Sequence, residues 1–466
     1  MNGFQEHDAS FRDSSGFVFT HDGNLYRQVN EVFKDEFDAY INSGLHQALL
    51  DKGYVVDHKE VELMGNDTHE AYKILKPNYI PYLTYPYEWT FSQLKDAALL
   101  TLNIQLLALE YGFTLKDASA YNVQFFEGKP IFIDTLSFIR YTSGAWTAYR
   151  QFCQHFLVPL SLKKWRDYRL GRMAQLYIDG IPLDLASKLL PVRSWFNIST
   201  LSHIHLHAKM QAHYGNSTKE RVVRAKKIKS NLTKTKLLAL VNNLKHSVEG
   251  IDWLPRNSEW GNYYENTNYN SLAMDGKLDI VEKFLCSISK DIPLLADIGA
   301  NAGNFSRLAA KYAKQVVSFD IDEVAVEHNY LAAKANKEIS ILPVVLDLFN
   351  PSPAIGYENK ERISFSQRGN FQVIIALALI HHLAIVNNTP LNKIVDMFHS
   401  LVTEILIIEF VPKIDSQVKV LLETREDVFP DYHEDGFEEA LQGKFTVVKK
   451  ELVPDSCRTI YILYKD

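Results

Sequence analysis

The residues best suited to chemistry form a glycine turn that follows a carboxylate, Asp297-Ile298-Gly299-Ala300-Asn301-Ala302-Gly303. An apolar run precedes this turn, and a helical pattern follows it with one apolar face, formed by Phe305, Leu308, Ala309 and Tyr312. Glycines let the backbone pass close to a ligand, and the first amides of a helix point towards it. Asp320 ends the next apolar run, about 20 residues further on, where an acid can bond to ribose hydroxyls. This spacing predicts a binding site for an adenosine-containing cofactor.

Two cofactors of this kind compete, a dinucleotide and S-adenosyl-L-methionine (SAM). The dinucleotide fingerprint is G-x-G-x-x-G, but Asn301 and Asn304 occupy its second and third glycine positions here. Asp297 would repel a pyrophosphate, whereas it would attract the ammonium group of a methionine moiety. The sequence therefore favours SAM.

Four segments resemble, in order, the motifs of class I SAM-dependent methyltransferases: Asp297–Gly303, Asp320, Asp347-Leu348 and Ala376–Leu383. The resemblance implies that Asp297 and the loop Gly299–Gly303, including Ala300 and Asn301, face the methionine part of SAM. It also implies that Asp320, followed by Ile321, binds the ribose. Asp347 and Leu348 would flank the adenine, and Ala376 completes the set of cofactor-binding residues.

The segment Ala376–Leu383 also bears on the methyl acceptor. It contains neither the Asp/Asn-Pro-Pro-aromatic stretch of enzymes that methylate DNA amines nor a cysteine that could attack cytosine carbon. Its pair His381-His382 resembles enzymes that methylate small molecules, in which a neutral imidazole takes the proton of a hydroxyl. His382 is the first candidate base and His381 the second.

Two alternatives to catalysis by these residues stay open. One histidine could pack against the cofactor while the other caps a turn. Glu409, near the end of the fifth strand, is a third catalytic candidate or simply a hydrogen-bonded acid at a strand end. A dedicated base is not required, because positioning and desolvation can carry methyl transfer. No metal is expected at this site.

The elements that must position these residues alternate between strands and helices. Apolar runs predict strands at Leu294–Ile298, Gln315–Asp320, Ile339–Asp347, Phe371–Leu379, Glu404–Val411, Phe445–Val453 and Arg458–Leu463. This order predicts an α/β fold with a Rossmann-like seven-stranded methyltransferase sheet, parallel except for an antiparallel terminal hairpin. Residues 350–370 show no clean helix, so we expect a short crossover helix or a loop over the cofactor.

A second constellation lies in the front half, where Asp117, Asn122 and Asp134 frame two short predicted strands. It resembles the catalytic segment of protein kinases and aminoglycoside phosphotransferases, which implies a base at Asp117 and Mg²⁺ ligands at Asn122 and Asp134. However, Leu115-Lys116 replaces the usual His-Arg or His-Gly, and no glycine follows Asp134. A degenerate kinase-like fold, an active phosphotransferase and coincidence stay open.

Composition and charge bear on partners and location. The chain has 50 Lys+Arg against 56 Asp+Glu, and a basic run over residues 219–236 could bind RNA or another polyanion. The apolar stripe within that run favours a solvated helix face instead, so nucleic acid is not the expected partner. Three widely spaced cysteines fit a reducing cytoplasm. The absence of an apolar signal region or spanning run predicts a cytoplasmic protein without membrane contact.

The length predicts more than one domain. We expect an N-terminal α+β accessory domain at 1–250, an aromatic linker with a lead-in helix at 251–290, and the methyltransferase domain at 291–466. The linker aromatics Trp260, Tyr263, Tyr264 and Tyr269 suit either a lid or packing on the sheet edge.

The whole chain is most similar to the nodulation-protein-related bacterial methyltransferases. This resemblance implies O-methylation of a small molecule or a saccharide-type acceptor. The alternatives are a bifunctional methyltransferase and phosphotransferase, and a non-catalytic protein that binds a polyanion or RNA.

Overall fold

The computed structural model describes residues 3–63, 70–214, 233–253, 271–288, 291–423 and 426–466. The aromatic stretch 259–269 and residues 219–232 of the basic run lie outside these ranges. The chain divides into two compact units. The front unit comprises Met1–Leu254 and Ala354–Arg362, and the second unit comprises Pro255–Pro353 and Ile363–Asp466.

The front unit contains a five-stranded antiparallel sheet in the order β1-β2-β3-β5-β4. Its strands are β1 (Phe4–Glu6), β2 (Gly16–His21), β3 (Asn24–Asn30), β4 (His58–Val61) and β5 (Ala71–Pro77). Two short antiparallel ladders accompany it, β6 (Phe113–Leu115) with β9 (Phe138–Arg140) and β7 (Val123–Phe126) with β8 (Lys129–Phe132). Buried aromatic and aliphatic side chains such as Phe19, Val29 and Leu75 line the larger sheet.

The longest helix in the described part of the front unit is Phe91–Glu110. Thr90 caps its N-terminus, because its side chain accepts a hydrogen bond from the amide of Gln93. The other α-helices described in this unit are Lys34–Asn42, Leu45–Asp51, Tyr149–Phe152, Val158–Trp165, Met173–Leu176, Leu183–Leu189, Ile198–Thr200, His207–Tyr214 and Lys234–Glu249. Two π-helical segments, Cys153–Leu157 and Leu201–Leu206, join some of these helices. The unit is therefore α+β, while a kinase-like fold for it stays a prediction.

The second unit contains a seven-stranded sheet in the order β12-β11-β10-β13-β14-β16-β15. Its strands are β10 (Ile292–Ile298), β11 (Ala313–Asp320), β12 (Ile341–Val345), β13 (Phe371–Ala376), β14 (Val402–Phe410), β15 (Phe445–Leu452) and β16 (Thr459–Lys465). The first five of these strands pair in parallel, and β16 lies antiparallel between β14 and β15. The predicted methyltransferase topology with its terminal hairpin is thus confirmed.

Helices connect these strands and cover the sheet: Ser271–Ser287, Asn304–Ala309, Glu323–Asn336, Phe365–Arg368, Leu391–Leu401, Ser416–Glu423 and Glu434–Leu441. The lead-in helix Ser271–Ser287 buries Val281 and Leu285 in the same core as Leu295 and Ile375 of the sheet. Replacing such a buried leucine by alanine would cost about 2–5 kcal/mol of stability. In the described parts of both units, no helix has the length and apolar character needed to cross a membrane.

Three details differ from the sequence prediction or refine it. The fourth strand ends at Ala376 rather than Leu379, because Ala378 adopts a left-handed conformation with φ 50°. The helix after the glycine turn ends at Ala309, so Tyr312 lies beyond it. The crossover between β12 and β13 contains the short α-helix Phe365–Arg368 and a single 3-10 turn, Tyr357–Asn359, in place of a long helix, as the sequence predicted. That a loop from this crossover covers the cofactor stays a prediction.

Candidate functional site

The glycine loop after β10 is held against the end of β11. The amides of Gly299 and Ala300 both donate to the carbonyl of Phe319, at 2.8 and 2.9 Å. Gly299 and Gly303 have φ of 81° and 84°, which disfavours any other residue there. A Cβ atom at Gly303 would also lie 2.4 Å from the side-chain oxygen of Asn329. A side chain at residue 303 would therefore force Asn329 to move as well as strain the backbone.

Asp297 lies at the end of β10 and is 3% exposed. Its carboxylate accepts a hydrogen bond of 2.6 Å from the Ser306 hydroxyl, which in turn accepts one from Ser318. Burial raises the pKa of Asp297 to about 7. The hydrogen bond from Ser306 opposes this rise, and the negative charge of the nearby Asp320 adds to it. Within the part of the chain that the structure describes, no cationic side chain pairs with Asp297. A cationic ligand group would fill that role.

Asp320, at the end of β11, organises the same loop. One carboxylate oxygen accepts the amide of Asn301 at 2.8 Å, and the other accepts the amide of Asp322 at 2.9 Å. Withdrawal from water raises the pKa of this carboxyl group to about 6, against the effect of the two amides. Each oxygen keeps a lone pair that can accept a hydroxyl. Ile321, the next residue, is exposed.

The ends of two further strands lie beside these acids. The amide of Leu346 donates to the carbonyl of Asp320 at 2.8 Å, which brings the segment after β12 to Asp320. Asp347 accepts the amide of Phe349 at 2.9 Å, and Leu348 lies between these two residues. Ala376 is fully buried at the end of β13. The structure thus brings the candidate cofactor residues to the carboxyl ends of four adjacent parallel strands, where ligands bind in such sheets.

This set of residues fits SAM. A buried carboxylate without a cationic partner suits the ammonium of its methionine part, and a second acid at the next strand end suits its ribose. The loop between them can approach a ligand closely, because its two positive-φ glycines carry no side chains.

The two histidines follow β13 at the start of a helical turn that continues as the π-helical segment His382–Val386. Their rings lie 4.2 Å apart. His381 is 2% exposed, and its Nδ1 atom has no hydrogen-bond partner among the described residues. Burial, with a contribution from Arg458, lowers the pKa of His382 to about 4. Burial also holds the pKa of His381 well below its ordinary value, helped by His382, Arg458 and Lys277. Both imidazoles are therefore neutral near pH 7.

Glu409 is fully buried at the end of β14. Its carboxylate lies 2.7 Å from the ammonium group of Lys277 and accepts the amide of Ala378 at 2.7 Å. Lys277, which the sequence analysis missed, lies on the lead-in helix and is only 3% exposed. One signal was present, since a lysine interrupts the apolar face formed by Ala273, Ile280 and Phe284.

A second buried ion pair, between Arg458 and Asp415, was also missed. Its side chains join through two hydrogen bonds of 2.7 and 3.0 Å. Arg458 directly precedes β16, and Asp415 follows β14, so the pair ties the terminal hairpin to the neighbouring strand end.

In the front unit, the structure brings Asp117 and Asp134 near each other. Burial raises the pKa of Asp117, and the charge of Asp134 adds to the effect. The carbonyl of Asn122 accepts the amide of Ile133 at 2.8 Å. Asp134 forms an ion pair with Arg27 and accepts the hydroxyl of Ser137. Among the described residues, no group of three or more His, Cys, Asp or Glu side chains is arranged to hold a metal ion.

The chain is similar in sequence to a known protein over most of its length. The chain is 36% identical over 462 residues to the nodulation protein NoeA of Rhizobium meliloti (strain 1021), covering 97% of this chain and 94% of that protein. No protein-family model matches.

Solved structures similar to the chain include magnesium protoporphyrin IX methyltransferase from Synechocystis PCC 6803 with bound S-adenosylhomocysteine (SAH). It shows 17% identity and a TM-score of 0.33 over 44% of this chain and 93% of that one. The N-methyltransferase NodS from Bradyrhizobium japonicum WM9 shows 12% identity and a TM-score of 0.31 over 42% and 98%. The bifunctional kinase-methyltransferase WbdD shows 16% identity and a TM-score of 0.27 over 41% and 38%.

The second unit carries the sheet order and terminal hairpin of class I methyltransferases, with a glycine turn and two acids at the cofactor end of the sheet. The second unit thus has the sheet order and the strand-end acids that the sequence analysis predicted for a SAM-dependent methyltransferase.

Proposed function

The chain belongs to the family of the nodulation protein NoeA, and from this premise we propose that it methylates a hydroxyl oxygen of a small-molecule or saccharide-type acceptor. The observation that carries the proposal is the neutral imidazole of His382, partly exposed at the carboxyl end of β13. An oxygen acceptor must lose a proton during methylation, and a neutral imidazole beside the strand end can receive it.

We propose that Asp297 holds the ammonium group of SAM and that Asp320 accepts its ribose hydroxyls. Asp347 and Leu348 would flank the adenine, and the loop Gly299–Gly303 would follow the methionine part. When bound, SAM supplies a methyl group on a positively charged sulfur atom. The residues of the chain contribute orientation and the exclusion of water around that charge.

In this proposal His382 holds the proton that the acceptor hydroxyl gives up. The ring of His381 lies 4.2 Å from that of His382, and its buried Nδ1 atom has no hydrogen-bond partner among the described residues. Glu409 is not the base in this scheme, because Lys277 and the amide of Ala378 engage its carboxylate. Its role is positional.

The test uses SAM with a radiolabelled methyl group and two sets of sugars, one with free hydroxyls only and one with a free amine. We expect label in the hydroxyl-only sugars, with transfer reduced at least tenfold in His382→Gln and unaltered SAH binding. His328→Gln is the matched control, because this exposed histidine lies on the helix Glu323–Asn336. Label confined to amines, or a full rate in His382→Gln, would contradict the proposal.

The bifunctional alternative gains no support from the contacts of Asp134. Its carboxylate already pairs with the guanidinium of Arg27, which offsets the negative charge that a Mg²⁺ ligand must offer. Titration of the protein with ATP and Mg²⁺ would show whether the kinase-like segment binds nucleotide or is inactive. The polyanion alternative depends largely on residues outside the described ranges and stays a prediction.

A further inference from the structure

Lys277 occupies a position where its neighbours are apolar. On the helix Ser271–Ser287, residues four before and four after it, Ala273 and Val281, are both buried in the core of the second unit. A lysine ammonium withdrawn from water is costly unless it is paired. Burial lowers the pKa of Lys277, and the carboxylate of Glu409 opposes that change. The fold therefore retains a charge pair at a position that an apolar side chain could fill.

Glu409 connects the lysine to the segment that carries the histidines. One of its carboxylate oxygens lies 2.8 Å from the ammonium of Lys277 and accepts the amide of Ala378 at 2.7 Å. Ala378 is left-handed, with φ 50°, a conformation that costs a non-glycine residue energy unless its surroundings hold it. The amide of His382 then donates to the carbonyl of Leu379 at 3.0 Å. The carboxylate thus fixes the turn three residues before His381.

We propose that Lys277 and Glu409 form a positioning pair for methyl transfer. Glu409 holds the Ala378 amide and so sets the turn that presents His381 and His382, and Lys277 balances the buried carboxylate. This inference rests on the proposed function only in taking these two histidines as part of the reaction site. The pair acts through the turn, and neither residue needs to touch the acceptor.

The charges around the turn are arranged to keep the imidazoles neutral. His381 faces the cations Lys277 and Arg458 as well as His382, and both cations have carboxylate partners, Glu409 and Asp415. A loosened turn would admit water to the histidines and bring their pKa values closer to that of a free imidazole. The titration of these histidines therefore reports on the turn, and a role confined to stability would not change it.

The test compares two double variants that differ only in an acceptor for the Ala378 amide. Lys277→Met with Glu409→Gln removes both charges and keeps a side-chain oxygen at residue 409. Lys277→Met with Glu409→Leu removes the charges and the oxygen together. Replacing both members of a buried ion pair by uncharged groups of similar volume is often neutral or stabilising, so both variants are designed to fold.

Histidine resonances are followed by NMR from pH 3.5 to 8, after assignment with His381→Gln and His382→Gln. We expect His382 in the Gln-bearing double variant to titrate as in the unmodified protein. In the Leu-bearing variant we expect its pKa to rise by at least about one unit towards 6.5. SAH should bind both variants within about threefold of the unmodified protein, because Asp297 and the glycine loop are unchanged. An unshifted His382 in the Leu-bearing variant would overturn the proposal.

If the Leu-bearing variant fails to fold, amide exchange in the unmodified protein decides. The Ala378 amide should exchange at least about 100-fold more slowly than an unstructured amide, because its acceptor is a buried carboxylate. Free exchange at Ala378 would refute the positioning role. Neither measurement uses a methyl acceptor. A failure of the positioning proposal can therefore be told apart from a failure of the proposed O-methylation.

Discussion

The sharpest prediction concerns the buried carboxyl group of Asp297, which should make cofactor binding depend on pH. The raised pKa, about 7, means that a large fraction of this group is protonated at neutral pH before a ligand binds. If the ammonium of the methionine part needs the ionised form, binding must first remove that proton. The affinity for the cofactor should therefore rise with pH up to the pKa of Asp297 in the ligand-free protein and level off above it.

The magnitude follows from the ionised fraction of a single group with a pKa of about 7. That fraction falls about 90-fold between pH 8 and pH 5, which corresponds to ~2.7 kcal/mol of binding free energy. The accompanying proton release should be about 0.9 per SAH at pH 6 and about 0.1 at pH 8. The ammonium of SAH stays protonated throughout this range, so the protein dominates the change.

The assay is calorimetric titration with SAH in buffers of different ionisation enthalpy, which separates proton release from binding heat. Asp297→Asn is the decisive variant, because it keeps the shape and the contact with Ser306 but cannot ionise. We expect it to bind SAH at least tenfold more weakly at pH 8 and to lose most of the pH dependence. Any residual dependence then belongs to Asp320, whose pKa is raised to about 6. Constant affinity from pH 5 to 8 without proton release would refute the reasoning.

Three further predictions concern the same unit. Gly303→Ala should weaken SAH binding at least about tenfold in calorimetry, because its Cβ would meet another side chain at 2.4 Å, whereas Gly443→Ala, with open space around it, should not. Asp415→Asn should lower the free energy of unfolding by about 3–5 kcal/mol in urea, because Arg458 loses its buried partner. If His382 is the base, the transfer rate at saturating SAM should stay flat from pH 6 to 8 and fall only as the pH approaches about 4, where this imidazole becomes protonated. A midpoint near 6.5 in the rate profile would contradict that assignment.

The parallel sheet was predictable because its strands are buried on both faces and appear as short apolar runs. The runs ending at Asp297 and Asp320 fix the two strands that carry the acids, and a topology of parallel strands places their ends at one edge. The terminal hairpin was equally visible, since two strand patterns flank the turn Pro454-Asp455-Ser456. The local sequence pattern was therefore sufficient to predict the parallel strands and the terminal hairpin.

The contacts that set the chemistry were less predictable. The end of β13 depends on a left-handed alanine that an acid more than 30 residues away in sequence holds in place. The partner of that acid, Lys277, comes from a helix over 100 residues before it. Hydrophobic periodicity carries no information on such pairings, because they arise only when the sheet is assembled. The front unit shows the same limit, since the pairing of Arg27 with Asp134 joins β3 to the segment that follows β8.

Asp297 and Glu409 differ in whether a cation within the fold balances their charge, and we infer that the first binds the cofactor and the second positions the histidine turn. Both are buried acids at the ends of parallel strands, and β13 lies between their strands. Glu409 is neutralised within the fold by Lys277, so its charge is balanced before any ligand arrives. Asp297 has hydroxyl and backbone neighbours in the described structure but no such cation, and its raised pKa reflects that lack. A balanced acid stabilises a conformation, whereas an unbalanced one retains binding free energy for a cation. We therefore expect the double variant Lys277→Met with Glu409→Leu to alter the histidine turn and Asp297→Asn to alter cofactor affinity, each with little effect on the other property.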